Sequence, residues 1–246
     1  MINITRHLIK LILNKFNLHI SSFSNTPTLE ALLTSLKKKG IKLETIFDVG
    51  AFQGLWAKNI SNYVSQNAKF FLFEPNKQHN SKLEKTGYKY FNYLLGKIDG
   101  EEVPFYTNSS TGDSVYQESG TVYKNILPTK NYTRSLDSVI MENNLPYPDF
   151  LKLDTQGSDL DILKGATRAL KETKLIVIEL PIVVYNLNAP FIGEILEFMD
   201  LSDFIPIGVT EIHIMKKVFV QIDIAFLHKK DFDMIFYPHN NFWHRN

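Results

Sequence analysis

One short segment has the residue types and spacing of a nucleotide-binding turn. The sequence IFDVGAFQGLW passes from an apolar run that ends near Asp48 into a helical pattern that begins near Gly54. Gly50 permits a tight turn, and Gly54 lets the helix begin close to the preceding strand. The pattern Asp48-x-Gly50-x-x-x-Gly54 lacks the third glycine of the dinucleotide fingerprint. A carboxylate before this turn repels a pyrophosphate and attracts an ammonium or a sulfonium, so the charge favours S-adenosylmethionine as the cofactor.

Glu74 adds a second acidic group to the predicted cofactor site. It ends the next apolar run, where a carboxylate can accept hydrogen bonds from both hydroxyls of a ribose. A ribose-binding acid in this position also occurs in nicotinamide enzymes, so Glu74 does not by itself choose the cofactor. The alternative for Asp48 and Glu74 is helix capping or a surface position. The full predicted cofactor site comprises Asp48, Gly50, Ala51, Gly54, Glu74, Pro75, Leu95, Gly96 and Asp154.

Four sequence blocks resemble the FkbM-type S-adenosylmethionine-dependent methyltransferases. The blocks are FDVGAFQG, FLFEPN, DFLKLDTQGSDLDILKGA and QIDIAFL, and the resemblance covers about residues 44–228. Gln156 stands where the family often has a glutamate. The resemblance implies a seven-stranded methyltransferase sheet and O-methylation, commonly of sugar or small-metabolite hydroxyls. The third block is the most specific, because seven residues follow the family pattern together: Lys152, Asp154, Gly157, Leu163, Lys164, Gly165 and Ala166.

Two carboxylates end the fourth and fifth predicted strands of the main sheet. In a sheet ordered 3-2-1-4-5, Asp154 lies where the strand order reverses, and it should face the cofactor's methyl group. There it can orient an acceptor hydroxyl and take its proton, or hold a divalent cation together with Glu179. Gln156 could hydrogen-bond the acceptor sugar without titrating. The alternative for Asp154 is an N-cap of the helix predicted over 158–171.

Four further residues are candidates for the acceptor side of the site. His213 precedes the last strand and could act as a base, although a lone histidine between isoleucines is more often a half-buried strand residue. Tyr185 and Asn186, with the nearby Asn188, follow the fifth strand and could line an acceptor pocket or be ordinary loop residues. The seven histidines show no metal-binding spacing, and whether the protein binds a metal stays open.

Alternating apolar runs and helical periods predict the elements that position these residues. Their alternation indicates right-handed βαβ units and a Rossmann-like α/β fold with a mostly parallel sheet and helices on both faces. The last apolar run predicts an antiparallel hairpin at one edge. The predicted strands are 45–49, 69–74, 88–94, 149–154, 174–180, 203–209 and 217–228, and the predicted helices are 28–39, 54–65, 76–86, 158–171 and 190–200.

Length and composition indicate one large domain with short extensions. The 246 residues are 44% hydrophobic and 22% charged, which is typical of a globular chain. We predict a helical extension over 1–40, a methyltransferase domain over 41–230 and a tail over 231–246. The polar segment 96–135, with weak strand patterns near 102–107 and 114–117, is predicted to be a substrate-facing insertion. Zero cysteines exclude disulfides, thiolate zinc sites and a cysteine nucleophile.

Charge and hydropathy limit the expected partners. A net charge of +1 argues against a nucleic-acid partner, and no apolar run is long enough to span a membrane. The basic, amphipathic residues 1–20 could lie on a membrane surface, but such a helix more often packs on its own domain or on a second subunit, which leaves a homodimer open. We expect a cytoplasmic enzyme with a small-molecule or glycan acceptor.

Two other functions are compatible with the same sheet. A nicotinamide-dependent oxidoreductase is disfavoured by the missing third glycine and by the absence of a helical Tyr-x-x-x-Lys pair. A non-catalytic cofactor-binding subunit is the second alternative, and acidic residues at four strand ends argue mildly against it.

Overall fold

The protein is built around one seven-stranded sheet with a small three-stranded sheet beside it. A computed structural model describes residues 28–107, 112–119 and 126–236. The main sheet has the order β3-β2-β1-β7-β8-β10-β9, and the small sheet has the order β4-β6-β5. The strands are β1 (Thr45–Val49), β2 (Lys69–Phe73), β3 (Lys89–Phe91), β4 (Leu94–Leu95), β5 (Glu102–Phe105), β6 (Thr129–Arg134), β7 (Phe150–Leu153), β8 (Leu175–Pro181), β9 (Phe204–Met215) and β10 (Val218–His228).

Five strands of the main sheet run parallel, and the last two form an antiparallel hairpin. β1 pairs in parallel with β2 and β7, while β3 extends the sheet from β2 and β8 extends it from β7. β10 pairs antiparallel with both β8 and β9, so it lies between them. This arrangement confirms the predicted strand order, the mostly parallel sheet and the antiparallel hairpin at one edge.

Helices cover both faces of the sheet, and each face has its own apolar core. The neighbouring residues Ile46 and Phe47 of β1 are both fully buried, and they pack into opposite cores because successive strand residues point to opposite faces. Leu33 of the first helix packs in the core of Ile46. The helices are α1 (Leu29–Lys38), α2 (Leu55–Ile60), α3 (Asn80–Glu84), α4 (Leu136–Glu142), α5 (Asp159–Lys164), α6 (Ala169–Glu172), α7 (Ile192–Leu201) and α8 (Lys229–Phe236), with a short 3-10 helix at Lys77–His79.

The structure differs from the predicted elements mainly outside the parallel strands. The helix predicted over 158–171 is two helices, α5 and α6, because the chain turns at Gly165, where any side chain would clash with the Gly96 carbonyl. β6, α4 and α8 were not predicted from the sequence, and the strand predicted over 88–94 is two short strands, β3 in the main sheet and β4 in the small sheet. The pattern near 114–117 forms an isolated bridge between Tyr106 and Ser114 rather than a strand. The predictions for residues 1–20 and for the end of the aromatic tail lie outside the described residues.

The loops after β1 and β7 approach each other closely at the carboxyl edge of the sheet. Gly50 has a φ of 75°, and a Cβ atom placed on it would clash with the carbonyl oxygen of Asp154. Only glycine therefore fits this turn. The close approach leaves a crevice at the point where the strand order reverses, which is where α/β sheets of this type bind ligands. None of the helices in the described ranges is long and apolar enough to cross a membrane.

Candidate active site

A cavity of about 720 Å³ opens at the carboxyl ends of the central parallel strands. The loop residues 112–119 and the end of the β9–β10 hairpin contribute to its walls. This volume lies within the roughly 300–1,000 Å³ typical of small-molecule sites. Nine of the residues predicted for the site line the cavity: Gly50, Glu74, Pro75, Leu95, Asp154, Gln156, Glu179, Tyr185 and His213.

Glu74 is the buried acidic group at one end of the cavity. Its Oε2 accepts a hydrogen bond from the backbone N–H of Phe52 at 2.9 Å, and its Oε1 accepts one from the N–H of Asn76 at 2.8 Å. Burial raises the pKa of Glu74 to about 7, although the two backbone donors favour the ionised form. The fixed carboxylate retains lone pairs that can accept hydrogen bonds from a ligand.

Five predicted residues do not line this cavity. Gly54 begins α2 in the left-handed conformation, where a Cβ atom would lie 2.7 Å from the Thr86 methyl carbon, and Ala51 donates its backbone N–H to the Phe73 carbonyl at 3.1 Å. Gly96 packs against Thr133. These three residues shape the turns around the cavity. The other two, Asp48 and Asn186, hold neighbouring residues in place, as described next.

Asp48 points to a lysine rather than to the cavity. Its side chain is fully buried, and Oδ1 lies 3.5 Å from Nζ of Lys152. The same Nζ donates to Oδ2 of Asp154 at 3.0 Å, so one buried cation lies between two carboxylates. Burial raises the pKa of Asp48. Burial lowers the pKa of Lys152, but the nearby carboxylates of Asp154 and Asp48 raise it, and the net shift is upward. Asp48, which the sequence predicted to face the cofactor, therefore forms an ion pair with Lys152 instead.

Gln156 connects the two carboxylates at the other end of the cavity. It has a φ of 54°, and its Nε2 donates to Oδ1 of Asp154 at 3.1 Å and to Oε1 of Glu179 at 2.8 Å. The Tyr185 hydroxyl donates to its Oε1 at 3.2 Å, and Asn186 donates to its backbone carbonyl at 2.7 Å. The side-chain amide of Gln156 thus orients the carboxyl groups of Asp154 and Glu179, and Asn186 holds the Gln156 backbone in place.

The carboxylate of Asp154 does not cap a helix. Its two oxygens accept hydrogen bonds from Lys152 and Gln156, and its side chain is one-third exposed towards the cavity. The loop before α5 is instead held by Asp159, which accepts from the backbone N–H and the hydroxyl of Thr155. Asp154 is therefore available to a bound molecule.

Glu179 lies in a row of acidic residues that crosses three strands. In the sheet register, Asp223 of β10 is directly opposite Glu179 of β8 on one side and Glu211 of β9 on the other. Burial and the nearby Asp154 raise the pKa of Glu179 to about 9, and burial and Asp154 raise the pKa of Asp223 to about 6. His213 of β9 lies beside this row.

Two residues of the acidic end, Gln221 and Asp223, were missed by the sequence analysis. They alternate with Val220, Ile222 and Ile224 in β10, and this period of two places both on the face that carries Glu179. Gln221 also donates hydrogen bonds to Glu179 and to the Tyr185 hydroxyl. Two polar residues at alternating positions of an otherwise apolar strand were the signal that could have identified them.

Comparisons with known proteins agree with the predicted family. The methyltransferase FkbM domain matches residues 48–206. A relative from Haloferax volcanii, "Hexuronic acid methyltransferase AglP", is 25% identical over 145 residues, which are 56% of this chain and 56% of the relative. The chain thus aligns with little more than half the length of that protein.

Solved structures of methyltransferases also resemble this fold. A methyltransferase FkbM from Methylobacillus flagellatus KT has a TM-score of 0.47 at 16% identity, covering 74% of this chain and 43% of that one. The magnesium protoporphyrin IX methyltransferase from Synechocystis PCC 6803 has a TM-score of 0.47 at 6% identity, covering 81% and 77%. The sheet order and the family match confirm the predicted methyltransferase fold.

Proposed function

Because this chain belongs to the methyltransferase FkbM domain family, we propose that it is an S-adenosylmethionine-dependent O-methyltransferase. Its acceptor is a hydroxyl of a saccharide or a related small metabolite. The observation that carries the proposal is a single cavity with the buried Glu74 at one end and the carboxylates of Asp154 and Glu179 at the other. This arrangement provides one end for a ribose and a separate end for an acceptor.

The Glu74 end of the cavity fits the nucleoside part of this cofactor. The backbone donors of Phe52 and Asn76 hold the Glu74 carboxylate in place, so it is preorganised to accept both ribose hydroxyls. The bare backbone of Gly50 and the apolar side chain of Leu95 leave room for the rest of the molecule. When bound, the cofactor supplies an electrophilic methyl group on its sulfonium.

The Asp154 end supports catalysis on a hydroxyl. A hydroxyl must lose its proton as it is methylated, and Asp154 can orient it and accept that proton. Lys152 and Gln156 hold the carboxylate of Asp154 in one position, which favours in-line approach. The nearby Glu179 is not the proton acceptor in this proposal, because its raised pKa of about 9 leaves it protonated at neutral pH.

The same acidic end favours a hydroxyl over a carboxylate as the methylated group. The carboxylates of Asp154 and Asp223 would repel a second negative charge. Tyr185 and Gln221 add an aromatic face and an amide, which suit a sugar. The name of the hexuronic acid methyltransferase relative supports a saccharide acceptor, with the methylated oxygen to be identified by experiment.

Thermal-shift measurements test the cofactor first. S-adenosylmethionine and its demethylated product should raise the Tm, because a ligand that binds only the folded state stabilises it, and NAD⁺ should not. A shift with NAD⁺ alone would favour the oxidoreductase. Methyl transfer to a panel of neutral and acidic sugars then tests the acceptor. Binding of S-adenosylmethionine without transfer to any sugar would contradict the saccharide assignment.

A further inference from the structure

In the described part of the chain, no lysine or arginine forms an ion pair with the acidic row beside the acceptor end. Glu179, Asp223 and Glu211 are directly opposite one another on three neighbouring strands. Like charges in this relation destabilise a sheet. Within the described ranges, His213 is the only basic residue whose nitrogen lies within 4.0 Å of these carboxylates. The sheet thus holds several acidic groups together at an energetic cost.

Three carboxylate oxygens surround Nε2 of His213 without forming hydrogen bonds to it. Its Nε2 lies 3.8 Å from Oε2 of Glu179, 3.8 Å from Oδ1 of Asp223 and 3.8 Å from Oε1 of Glu211. These distances are too long for hydrogen bonds. Ligand atoms bonded to one ion at about 2.1 Å in tetrahedral geometry are about 3.4 Å apart, so small side-chain movements would bring these atoms to the spacing that one ion requires.

Asp223 supplies an independent sign of a missing ligand. Its Oδ1 is buried from solvent, and no donor in the described part of the chain makes a hydrogen bond to it. This is the atom that faces Nε2 of His213. A buried carboxylate oxygen without a donor is costly, and a bound cation would remove that cost.

We propose that Glu179, His213 and Asp223 form a binding site for one divalent metal ion of the Mn²⁺ or Zn²⁺ type. One oxygen or nitrogen from each of the three residues lies within 4.8 Å of the other two, so a single ion can contact all three. An imidazole together with carboxylates suits these ions better than Mg²⁺, which prefers oxygen ligands. Glu211 lies outside this set and adds negative charge next to it.

The catalytic consequence of this site rests on the proposed function, whereas metal binding does not. Glu179 and His213 line the same cavity as Asp154, so an ion held there would contact an acceptor oxygen and make its proton more acidic. A second cluster, Glu74, His79 and Asp113, also brings possible ligand atoms together. We assign that cluster to the ribose end, because backbone N–H groups hold both oxygens of Glu74.

Titration of the chelator-treated full chain with Mn²⁺, followed by electron paramagnetic resonance, tests the site. We expect one saturable Mn²⁺ site and at least about tenfold weaker binding of Mg²⁺ in competition. Asp223→Asn should weaken Mn²⁺ binding at least about tenfold, since it removes a charged ligand. Asp233→Asn, the same change at an exposed position of α8, is the matched control and should bind Mn²⁺ like the wild type. Asp113→Asn should also leave Mn²⁺ binding unchanged.

Stability separates a metal ligand from a merely structural residue. In chelator, Asp223→Asn should unfold at the wild-type Tm or higher, because it relieves repulsion within the acidic row. Added Mn²⁺ should raise the Tm of the wild type and not that of the variant. Equal Mn²⁺ affinity in the wild type and Asp223→Asn would overturn the proposal. Loss of Mn²⁺ binding in Asp113→Asn instead would place the ion at the other cluster and would also overturn it.

The two proposals fail in different ways. If Mn²⁺ binds and S-adenosylmethionine does not, the proposed function is wrong and the metal site stands. If S-adenosylmethionine binds and methyl transfer proceeds equally with and without chelator, with no saturable Mn²⁺ site, the metal proposal is wrong and the proposed function stands.

Discussion

Replacing the buried Lys152 should be among the most destabilising single changes in this protein. Its Nζ lies between the carboxylates of Asp48 and Asp154, at 3.5 and 3.0 Å. Asp48 is fully buried, and neither of its oxygens accepts a hydrogen bond in the described part of the chain. Lys152→Met fills a similar volume but leaves this charge unpaired, so the free energy of unfolding should fall by about 3–5 kcal/mol near neutral pH.

The size of this loss should depend on pH. Burial already raises the pKa of Asp48 above its ordinary value of 3.8, and removing Lys152 takes away the main effect that lowers it. The folded variant then holds a proton on Asp48 at pH values where the unfolded chain has released it. Stability therefore falls as pH rises between the unfolded and folded pKa values, and the loss caused by Lys152→Met should be smaller at acidic pH.

Urea unfolding, monitored by circular dichroism, measures the effect. The double variant Asp48→Leu/Lys152→Met removes both charges and should recover most of the stability lost by the single variant. Lys130→Met is the matched control, because Lys130 pairs with Glu102 on the surface and should change stability by less than about 1 kcal/mol. The reasoning is refuted if Lys152→Met costs no more than the control, or if the losses of Lys152→Met and Asp48→Leu simply add.

Three other predictions concern the cavity. Glu74→Ala should weaken S-adenosylmethionine binding by about 1.5–3 kcal/mol, as measured by calorimetry. The wild type should bind S-adenosylmethionine more weakly below the Glu74 pKa of about 7, because the protonated carboxyl must release its proton before it can accept hydrogen bonds from both hydroxyls. Amides of residues 112–119, which line the cavity, should gain hydrogen-exchange protection when S-adenosylmethionine is added; equal exchange in both states would contradict contact with the ligand. Asp154→Asn should lower kcat by about 10²–10⁴ with little change in cofactor affinity, and full activity would exclude Asp154 as the base.

The sequence predicted the parallel part of the fold because each central strand is a short apolar run bounded by turn residues. All five residues of β1 and all four of β7 are buried, including the charged Asp48 and Lys152. β6 was missed because its sequence TKNYTR is polar, and Thr133 is the only one of its six residues that is buried. Although β6 is the central strand of the small sheet, its polar sequence carries little hydrophobic periodicity, so its pairing cannot be derived from local sequence.

The cofactor end of the site could be predicted in part. Glu74 and Asp154 follow buried parallel strands, and the carboxyl ends of such strands meet at one edge. The direction of Asp48 could not be predicted, because it depends on Lys152 in the neighbouring strand, directly opposite in the register. A charge in the middle of an apolar run is ambiguous until its partner on the next strand is known.

The acceptor end depends on how β10 pairs with β8 and β9, and the pairing with β8 joins segments that are distant in sequence. β10 inserts between β8 and β9, and this insertion brings Asp223 opposite Glu179. The hairpin turns at Lys216 and Lys217, whose φ values of 49° and 69° are those of a type I′ turn usually made by asparagine and glycine. A slip of one residue would turn Asp223 to the other face of the sheet, away from Glu179. The cluster of acidic residues at this end therefore exists only because β8, β10 and β9 pair in this register.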